Sequence, residues 1–365
     1  MQSSNDYLSI ILQDTPLLDV RAPIEHQKGT VNSALNIPLM SDNEREAVGT
    51  CYKEQGQDAA IALGRKLVTP QLQRSRSEQW NTFCKTHPEG LLFCFRGGLR
   101  SRITQQWIAE TGIDYPYVEG GYKALRRFLI DELEKNVHKI PMTLISGRTG
   151  SGKTRLLSEL DHSIDLEGLA NHRGSSFGAA VAEQPSQINF ENAVSSALLK
   201  QLHTHSNTVH LEDEGRLIGS LSMPIALRDK MITLPRITLE TPMQQRVQFA
   251  VEDYILDLLA QLEKQHPEDE AFAALGERHR NSLFRIRKRM GPERYTQACE
   301  LLESGLKQHR DQNSTAGYHA FIELLLAQYY DPMYDYQMSK RQGKSEFSGD
   351  WQAVIDYTKA QICNR

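Results

Sequence analysis

The first third of the chain alternates short apolar runs with stretches of helical periodicity. The apolar runs predict strands over residues 16–20, 34–38, 90–94 and 116–118, and helical spacing predicts helices over 42–67, 71–87, 99–111 and 121–136. Strands that alternate with helices favour a parallel sheet covered by helices. We therefore predict an α/β domain over residues 12–136.

The pattern starts again near residue 140. Apolar runs predict strands over 142–146, 163–166, 208–211 and 230–234, and helical spacing predicts a helix over 189–202. This alternation indicates a second α/β domain, which we place at residues 140–240. Beyond residue 241 the apolar positions recur only at helical spacing. We therefore predict a helical C-terminal lobe over 241–365 that belongs with the second domain.

The composition narrows the class of protein. A length of 365 residues, with 39% hydrophobic and 24% charged positions, is typical of a globular protein with about two domains. The 42 basic and 46 acidic residues give a net charge of −4, so any nucleic-acid surface requires a local basic cluster. We expect a cytoplasmic protein with no membrane partner, because no long apolar run or signal-peptide pattern occurs. The 5 cysteines form no CxxC pair, which disfavours a disulfide scaffold and a structural zinc site.

A cysteine stands where an apolar strand meets a glycine-containing loop. The segment reads Cys94-Phe95-Arg96-Gly97-Gly98-Leu99-Arg100-Ser101. Such a loop, before a helix N-terminus, turns backbone N–H groups inward and favours a bound anion or a thiolate. A buried structural cysteine is the alternative, and the paired glycines and arginines argue against it. We predict that Cys94, Arg96 and Arg100 are catalytic and that the anion-binding loop comprises Gly97, Gly98, Leu99 and Ser101.

A second anion site follows the strand at 142–146. Residues 147–154 match the motif G-x-x-x-x-G-K-[ST], between an apolar strand and a helical segment. Its backbone N–H groups wrap a diphosphate, Lys153 bridges the oxygens, and Thr154 is a candidate ligand for Mg²⁺. The predicted diphosphate-binding residues are Gly147, Thr149, Gly150, Ser151, Gly152, Lys153 and Thr154. No nucleobase motif is present, so the diphosphate need not belong to ATP or GTP.

Charged residues follow two other predicted strands of the second domain. Glu212 and Asp213 end the strand at 208–211, and His172 and Arg173 lie beyond the strand at 163–166. Open α/β sheets collect ligands at these strand ends. We predict that these four residues support the diphosphate site or its metal ion, and a solvated acidic turn is the alternative for Glu212 and Asp213.

One segment concentrates positive charge. Between residues 278 and 294 there are seven basic residues and one acid, Glu293. Clustered charge neutralises nucleic-acid phosphates, and unpaired bases stack on tyrosines such as those at 329, 330, 334 and 336. A solvated helix face beside core tyrosines remains the alternative. The candidate nucleic-acid contacts are Arg285, Arg287, Lys288 and Arg289.

The first domain resembles the rhodanese family. The resemblance is carried by residues 19–26 (DVRAPIEH), by residues 34–38 (ALNIP) and by the Cys94 loop. It implies sulfur or selenium carried on Cys94. Five residues separate Cys94 from Arg100, one more than the usual rhodanese loop has and the same as in rhodanese-related phosphatases. This spacing suits a tetrahedral, phosphate-sized group, although Phe93 replaces the histidine typical of those phosphatases.

The whole chain resembles the bacterial tRNA 2-selenouridine synthases. The resemblance is carried by the Cys94 loop, by residues 118–123, by the motif at residues 147–154, which we call the P-loop, and by residues 211–214 and 329–334. The resemblance implies conversion of wobble 2-thiouridine to 2-selenouridine in tRNAs for lysine, glutamate and glutamine. It implies S-geranylation by geranyl diphosphate, and then selenation by selenophosphate. From the shape and charge of selenophosphate we expect it to bind at the Cys94 loop. We expect no tightly bound cofactor, an optional Mg²⁺ at Thr154, a monomer, and a selenophosphate-producing enzyme as the source of selenium.

Two other functions remain open from the residues alone. An NTP-dependent kinase with a sulfur-carrier domain requires ATP turnover that depends on Lys153. A C-x5-R phosphatase with a nucleotide-binding domain requires release of phosphate that depends on Cys94.

Overall fold

The computed structural model describes residues 2–204, 207–341 and 343–363. The chain forms two compact units, Met1–Asn136 with Ser186–Thr204, and Val137–Pro185 with His205–Arg365. Each unit is built around its own parallel sheet. No helix of the described ranges has the length and apolar character needed to span a membrane.

The described elements alternate along both sheets. The strands are β1 (Ser3–Ser4), β2 (Leu17–Asp19), β3 (Ala34–Asn36), β4 (Leu91–Phe93), β5 (Tyr117–Val118), β6 (Met142–Ser146), β7 (Ser163–Ile164), β8 (Val209–Glu212), β9 (Leu217–Ile218), β10 (Leu221–Ser222), β11 (Arg236–Leu239) and β12 (Ser345–Gly349). The helices are α1 (Tyr7–Leu12), α2 (Pro23–Lys28), α3 (Asp42–Gln55), α4 (Gln57–Leu67), α5 (Pro70–Thr86), α6 (Leu99–Ala109), α7 (Gly121–Asn136), α8 (Lys153–Leu157), α9 (Leu166–Leu169), α10 (Gln187–Thr204), α11 (Ile225–Met231), α12 (Met243–Val251), α13 (Asp257–Glu263), α14 (Glu268–Met290), α15 (Pro292–Gln312), α16 (Tyr318–Leu325), α17 (Asp331–Met338) and α18 (Trp351–Cys363). Two π-helical segments, Glu252–Leu256 and Leu326–Tyr330, join α12 to α13 and α16 to α17.

The first unit confirms the predicted parallel α/β architecture. Its sheet has the strand order β1-β5-β4-β2-β3, and every pairing is parallel. Apolar clusters include Leu125 and Leu129 of α7 in one and Trp80 of α5 and Ile108 of α6 in another. The helix predicted over 42–67 is two helices, because Gly56 adopts φ +84° between α3 and α4.

Helix α10 lies in the first unit although its position in the chain falls within the predicted second domain. Leu199 of α10 joins the apolar cluster of Leu125 and Leu129. The Asn192 side-chain amide donates to the Thr30 carbonyl at 2.6 Å, and Thr30 N–H donates to Asn189 at 2.6 Å. Helix α10 belongs to the first unit because of its tertiary packing, which the periodicity of its own sequence does not reveal.

The second unit also has an all-parallel five-stranded sheet, in the order β12-β11-β6-β8-β7. The strand predicted over 230–234 is wrong, because α11 continues to Met231 and the strand is β11. Met231 and Leu234 are the buried residues of that run, whereas Ile232 and Thr233 are exposed. The three-residue spacing between the buried residues Met231 and Leu234 is typical of the end of a helix. Pro235 lies between this helix end and β11.

The C-terminal region is largely helical, with one correction. Helices α12 to α17 surround a core that contains Leu275, Leu302 and Phe321. Strand β12 then pairs with β11, and α18 covers it. The predicted lobe over 241–365 is therefore not wholly helical. The strand was missed because it is a mostly exposed edge with one apolar side chain, Phe347, which stacks on Tyr357 at 4.3 Å.

Candidate active sites

A buried ion pair lies at the carboxyl ends of the strands of the first sheet, where Cys94 also lies. Arg21 is 1% exposed and donates to Asp19 through Nε at 2.9 Å and Nη2 at 2.6 Å. His26 lies 2.9 Å from the same carboxylate, and the Arg21 guanidinium lies 4.0 Å from the Tyr122 ring centre. Burial opposes ionisation of Asp19, but its hydrogen bonds to His26 and Arg21 prevail and lower its pKa. These contacts anchor residues 19–26, the segment that carries the resemblance to the rhodanese family.

The first residues of α7 pack against the Cys94 loop and hydrogen-bond to its backbone. Cys94 is buried, and its N–H donates to Ser101 Oγ at 2.9 Å. Tyr122 N–H donates to the Cys94 carbonyl and Lys123 N–H donates to the Phe95 carbonyl, both at 2.9 Å. The structure therefore places the predicted loop residues at the N-terminus of α6, where backbone N–H groups favour an anion, while the first N–H groups of α7 hold the loop backbone.

The two predicted arginines of this loop have different environments. Both Nη atoms of Arg100 donate to Glu25, at 2.6 and 3.1 Å. Burial opposes ionisation of Glu25, but Arg100 outweighs it and lowers the Glu25 pKa. Arg96 is exposed and has no ion-pair partner within the described ranges. Arg100 is thus a fixed charge, whereas Arg96 is available to an incoming anion, and Gly98 and Leu99 lie at the open side.

The P-loop has the backbone that its glycines permit. Strand β6 runs into residues 147–152, and Gly150 and Gly152 adopt φ +78° and +86°. Lys153 opens α8 and donates through Nζ to the Gly147 carbonyl at 3.0 Å. The Ser151 hydroxyl is buried without a hydrogen-bond partner in the described part of the chain. Backbone N–H groups and a lysine ammonium therefore face one concave site.

This site opens into a cavity of about 820 Å³ within the second unit. All seven predicted diphosphate-binding residues line it, together with His172, Arg173 and Asp213. Glu212 does not line it. Its buried carboxylate instead accepts from Leu166 N–H at 2.6 Å, and burial raises its pKa. The cavity therefore unites most of the residues predicted for this half of the chain.

Two carboxylates in the cavity were not predicted. Thr154 Oγ1 donates to Glu167 at 3.1 Å, and Glu167 is a neighbour of Glu214. Burial and the Glu167 charge raise the pKa of Glu214 to about 8. Asp213 instead pairs with Arg341 and accepts from Ser146 Oγ at 2.9 Å. The Asp165-Leu166-Glu167 run after the β7 strand was the available signal for Glu167, but its spacing did not assign a role.

Arg246 and Asp331 tie the P-loop to the helical lobe, and they were also missed. Arg246 Nε donates to the Thr149 carbonyl at 3.0 Å, and its Nη atoms donate to Asp331 at 3.0 and 2.6 Å. Arg148 of the P-loop reaches the same carboxylate at 2.9 Å. Burial opposes ionisation of Asp331, but the two arginines lower its pKa. The loop is therefore anchored from outside the motif.

The basic segment serves partly as scaffold. Arg278 donates to the Ala180 carbonyl at 3.0 Å, Arg285 donates to the Ser176 carbonyl at 3.1 Å, and Arg280 pairs with Glu303. Arg287 stacks on Phe284, which is 53% exposed, while Lys288 and Arg289 are exposed without a described partner.

The tyrosines proposed to stack bases differ in exposure. Tyr329 and Tyr330 are core residues and do not present their rings to solvent. Tyr334 lies 3.1 Å from the Ser146 hydroxyl, whereas Tyr336 is 65% exposed. Of these four rings, that of Tyr336 is exposed to solvent, and Tyr334 is half-buried and lines the cavity at the P-loop.

The fold and these sites define a P-loop α/β protein that carries a second parallel-sheet unit with a cysteine at a strand end. A family model described as the tRNA 2-selenouridine synthase AAA domain matches residues 140–365. Relatives named tRNA 2-selenouridine synthase include that of Marinobacter nauticus, 49% identical over 98% of both chains. Those of Pseudomonas fluorescens and Hahella chejuensis are 47% and 48% identical over 97% and 98% of this chain, and over 97% and 94% of their own. The chain belongs to the tRNA 2-selenouridine synthase family, and it is an enzyme that forms 2-selenouridine in tRNA.

Proposed function

We propose that this enzyme replaces sulfur by selenium in two chemical steps at two sites. Geranyl diphosphate binds at residues 147–154 and alkylates the sulfur of wobble 2-thiouridine in tRNAs for lysine, glutamate and glutamine. Selenium from selenophosphate, held at the Cys94 loop, then displaces the S-geranyl group. The single observation that supports this proposal best is the 820 Å³ cavity, which is lined by all seven residues predicted to bind a diphosphate.

Alkylation makes the exchange chemically accessible. The sulfur atom attacks the first carbon of the geranyl group, the carbon–oxygen bond breaks, and diphosphate leaves with the electron pair. The P-loop N–H groups and Lys153 neutralise the charge that develops on the diphosphate. The N3 proton of the base is released. The ring carbon is then more electrophilic, and sulfur departs as geranyl thiolate when selenium attacks.

A magnesium ion fits the oxygen donors beside the P-loop. Mg²⁺ is bound by one or two carboxylates together with substrate phosphates, and the Thr154 hydroxyl lies beside the Glu167 and Glu214 carboxylates. These three side chains would hold the ion, which supplies additional neutralisation of the diphosphate. Occupancy would favour ionised forms of Glu167 and Glu214, whose pKa values are raised in its absence.

Selenophosphate suits the Cys94 loop for its shape and charge. It is a tetrahedral anion, and the loop between Cys94 and Arg100 leads into the N-terminus of α6, whose backbone N–H groups favour an anion. In our proposal Arg96 contacts the anion and Arg100 fixes the loop through Glu25. The Cys94 thiolate attacks phosphorus, the selenium–phosphorus bond breaks, and selenium leaves with the electron pair as hydrogen selenide, which attacks the ring carbon of the alkylated base. Water then hydrolyses the phosphocysteine and releases phosphate.

The tRNA phosphates are proposed to contact the exposed end of α14. Lys288 and Arg289 have no described partner, so their charge is available, and Phe284 and Arg287 offer a stacking surface for an unpaired base. Anticodon-loop bases are unpaired and can be turned outward at low cost.

Two substitutions separate the steps. Purified Cys94→Ser should accumulate S-geranyl tRNA and form no 2-selenouridine, whereas Lys153→Ala should form neither. Mass spectrometry of nucleosides from 2-thiouridine tRNA, incubated with geranyl diphosphate and selenophosphate, measures both products. Matched controls are Cys299→Ser and the exposed Lys264→Ala, which should behave as the parent. Normal 2-selenouridine yield from Cys94→Ser would refute the role of that cysteine.

A further inference from the structure

Two apolar side chains are exposed on the loop that carries the buried Cys94. Phe95 is 38% exposed and Leu99 is 45% exposed, and the paired glycines of the loop lie between them in the chain. Single exposed apolar residues are common on protein surfaces, but exposed apolar residues that occur together beside a reactive group are typical of interaction sites. The Phe95 ring is therefore a candidate contact for the molecule that receives selenium.

The Phe95 ring is supported from within the first unit. Its centre lies 6.4 Å from the centre of the buried Tyr122 ring, which packs in turn against the Arg21 guanidinium at 4.0 Å. The backbone is held as well, because the Phe95 carbonyl accepts from Lys123 N–H at 2.9 Å. A ring that is already held in place loses little conformational freedom when a flat ligand stacks on its exposed face.

Exposed cations accompany this ring. Residues 94–103 contain three arginines and no acid. Two of these arginines, Arg96 and Arg102, are exposed and have no ion-pair partner in the described part of the chain, and the same is true of Lys123 in the first turn of α7. Arg102 follows Leu99 by three residues, so both lie on one side of α6. An exposed ring with unpaired cations beside it is the combination that binds single-stranded nucleic acid.

The activity of the enzyme favours RNA as the molecule that contacts this surface. The enzyme forms 2-selenouridine in tRNA, so a tRNA base must reach the place where selenium becomes available. Two exposed apolar side chains are too small an area for a membrane or for a stable apolar protein interface. A nucleotide instead offers a flat base to the ring and a phosphate to the cations.

We propose that Phe95 is a stacking platform for the wobble base during selenium transfer, and that Arg102 and Lys123 contact the flanking phosphates. The inference rests on the proposed function, because that function places the release of selenium at Cys94. The base lies against the exposed face of Phe95, and Arg96 is left to contact selenophosphate. Phe95 is thus a positioning residue, which orients the base and takes no part in making or breaking bonds.

The first test measures stacking by fluorescence. The probe is an anticodon stem-loop with 2-aminopurine at the wobble position, whose fluorescence falls when the base stacks on an aromatic ring. The full-length parent and Phe95→Tyr should quench this fluorescence. Phe95→Leu remains apolar but has no ring, so it should lose most of the quenching and bind the stem-loop about tenfold more weakly. Equal quenching by Phe95→Leu and the parent would overturn the platform.

Kinetics separate positioning of the base from chemistry at the cysteine. With selenophosphate and a tRNA that carries wobble S-geranyl-2-thiouridine, Phe95→Leu should raise KM for the tRNA about tenfold, and Phe95→Tyr should restore it to within about twofold of the parent. Formation of phosphocysteine from selenophosphate without tRNA, followed by intact-protein mass spectrometry, should be the same in all three proteins. A slower reaction in Phe95→Leu would show that the ring shapes the anion site instead, and would overturn the proposal.

The matched control for the ring is Tyr52→Leu, which removes an aromatic side chain that is 57% exposed on α3, outside the Cys94 loop. It should behave as the parent in both assays. Raised KM in Tyr52→Leu equal to that in Phe95→Leu would show a general loss of stability and would contradict the assignment of the platform to Phe95.

The cations are tested as a pair. Replacing both Arg102 and Lys123 by alanine should reduce the slope of log K for stem-loop binding against log salt by about two. Lys53→Ala with Lys85→Ala is the control, because it removes the same charge from exposed positions of the first unit. Lys85 lies near the end of α5, before the amino end of β4, whereas Cys94 follows the carboxyl end of that strand. Equal slopes in the two pairs would overturn the phosphate contacts.

The outcomes distinguish this inference from the proposed function. If Cys94→Ser forms 2-selenouridine at the yield of the parent, the proposed function fails. If selenation requires Cys94 but Phe95→Leu equals the parent in quenching and in KM, only the platform fails. If the defect of Phe95→Leu appears only when a selenophosphate-producing enzyme supplies the selenium, the surface binds that protein and not RNA, and the platform fails as well.

Discussion

Individual glycines determine whether the Cys94 loop can adopt its conformation. Gly121 has φ +59°, and a Cβ there would overlap the Cys94 carbonyl and crowd the Gly97 and Arg96 nitrogens. Gly97 has φ +61°, and a Cβ on it would lie 2.7 Å from the Val118 carbonyl. Backbone meets backbone at both positions, so neither neighbour can move aside as a flexible side chain does.

We predict that Gly121→Ala disables selenation and spares geranylation. The added methyl group displaces the chain over the Cys94 loop, and positive φ adds strain of about 1 kcal/mol or more. With S-geranyl tRNA and selenophosphate supplied, formation of 2-selenouridine should fall at least about tenfold, which corresponds to a loss of about 1.4 kcal/mol in transition-state binding. Nucleoside mass spectrometry measures the rate.

Gly112→Ala is the matched control for this prediction. Gly112 has a similar φ of +86°, but a Cβ there meets no atom within 4 Å. It therefore carries the conformational strain without the overlap at Cys94. Equal losses of selenation in both variants would show that stability, and not the shape of the loop, limits the reaction.

We also predict that Asp19→Asn destabilises the first unit and reduces its sensitivity to acid. Removing one partner of a buried ion pair leaves Arg21 unpaired and costs about 3 kcal/mol. The Asp19 pKa is lowered by folding, so its contribution is complete above the unfolded value near 4 and is lost as pH falls through the folded value. Urea unfolding at pH 7 and at pH 3 measures both effects.

Asp131→Asn is the control, because the Asp131 carboxylate pairs with Arg127 at an exposed site on α7. Its loss should be below about 0.5 kcal/mol at pH 7. If Asp19→Asn has the same stability as the parent at pH 7, the buried pair does not stabilise the sheet edge as we infer.

Contiguous motifs were predictable from the sequence, and their outside partners were not. Residues 147–154 bring their own turn geometry and appear together in the cavity. Glu214 meets Glu167 across 47 positions of the chain, and Arg246 meets Asp331 across 85. No local spacing reports such encounters, because they follow from the order of strands and the packing of helices.

At the scale of elements, α12 holds the P-loop through Arg246, and α17 holds it through Asp331, which pairs with both Arg246 and Arg148. Arg246 of α12 is buried and makes a planar, two-pronged contact with Asp331 at the start of α17. Its remaining donor holds the Thr149 carbonyl. A lysine has the same charge but cannot form this set of hydrogen bonds.

We predict that Arg246→Lys weakens binding of inorganic pyrophosphate by about tenfold, because it removes two or more hydrogen bonds that position the P-loop. Isothermal titration calorimetry of the full chain measures the affinity. Arg228→Lys, at an exposed pair with Asp229, is the control and should bind as the parent does. An unchanged affinity in Arg246→Lys would show that the hydrogen bonds of Arg246 to Thr149 and Asp331 do not contribute to diphosphate binding.

Elements with strong apolar periodicity were predicted well, and elements defined by packing were not. The buried strands β4 and β6 were predicted from their apolar runs. Strand β12 has a mostly polar sequence because it lies at an edge, and α10 has the periodicity of any buried helix. The assignment of α10 to the first unit follows from its contacts with α1 and α7, which form only in the folded chain.

At the scale of the whole molecule, the net charge of −4 opposes the binding of an RNA polyanion. The end of α14 offsets this locally. Arg278, Arg280 and Arg285 are engaged within the protein, so the charge available to RNA is smaller than the sequence count suggests. Lys288 and Arg289 are the exposed cations without a described partner in this stretch, and their contribution to tRNA binding is therefore measurable.

We predict that replacing both Lys288 and Arg289 by alanine weakens tRNA binding and reduces its salt dependence. Each cation that contacts a phosphate contributes about one unit to the slope of log K against log salt. The double variant should therefore have a slope smaller by about two, and the largest loss of affinity should occur near 50 mM salt. Filter binding of a substrate tRNA between about 50 and 200 mM salt measures the slope.

The control removes the same charge from another part of the second unit. Lys264 and Lys307 are exposed and lie outside the basic segment, so the pair Lys264→Ala and Lys307→Ala lowers the net charge equally. A long-range effect of net charge would change both double variants alike. A direct contact changes the slope only for Lys288 and Arg289, because counterions are released only where a cation replaces them at the phosphates. Identical slopes in the two double variants would place the tRNA surface elsewhere on the molecule.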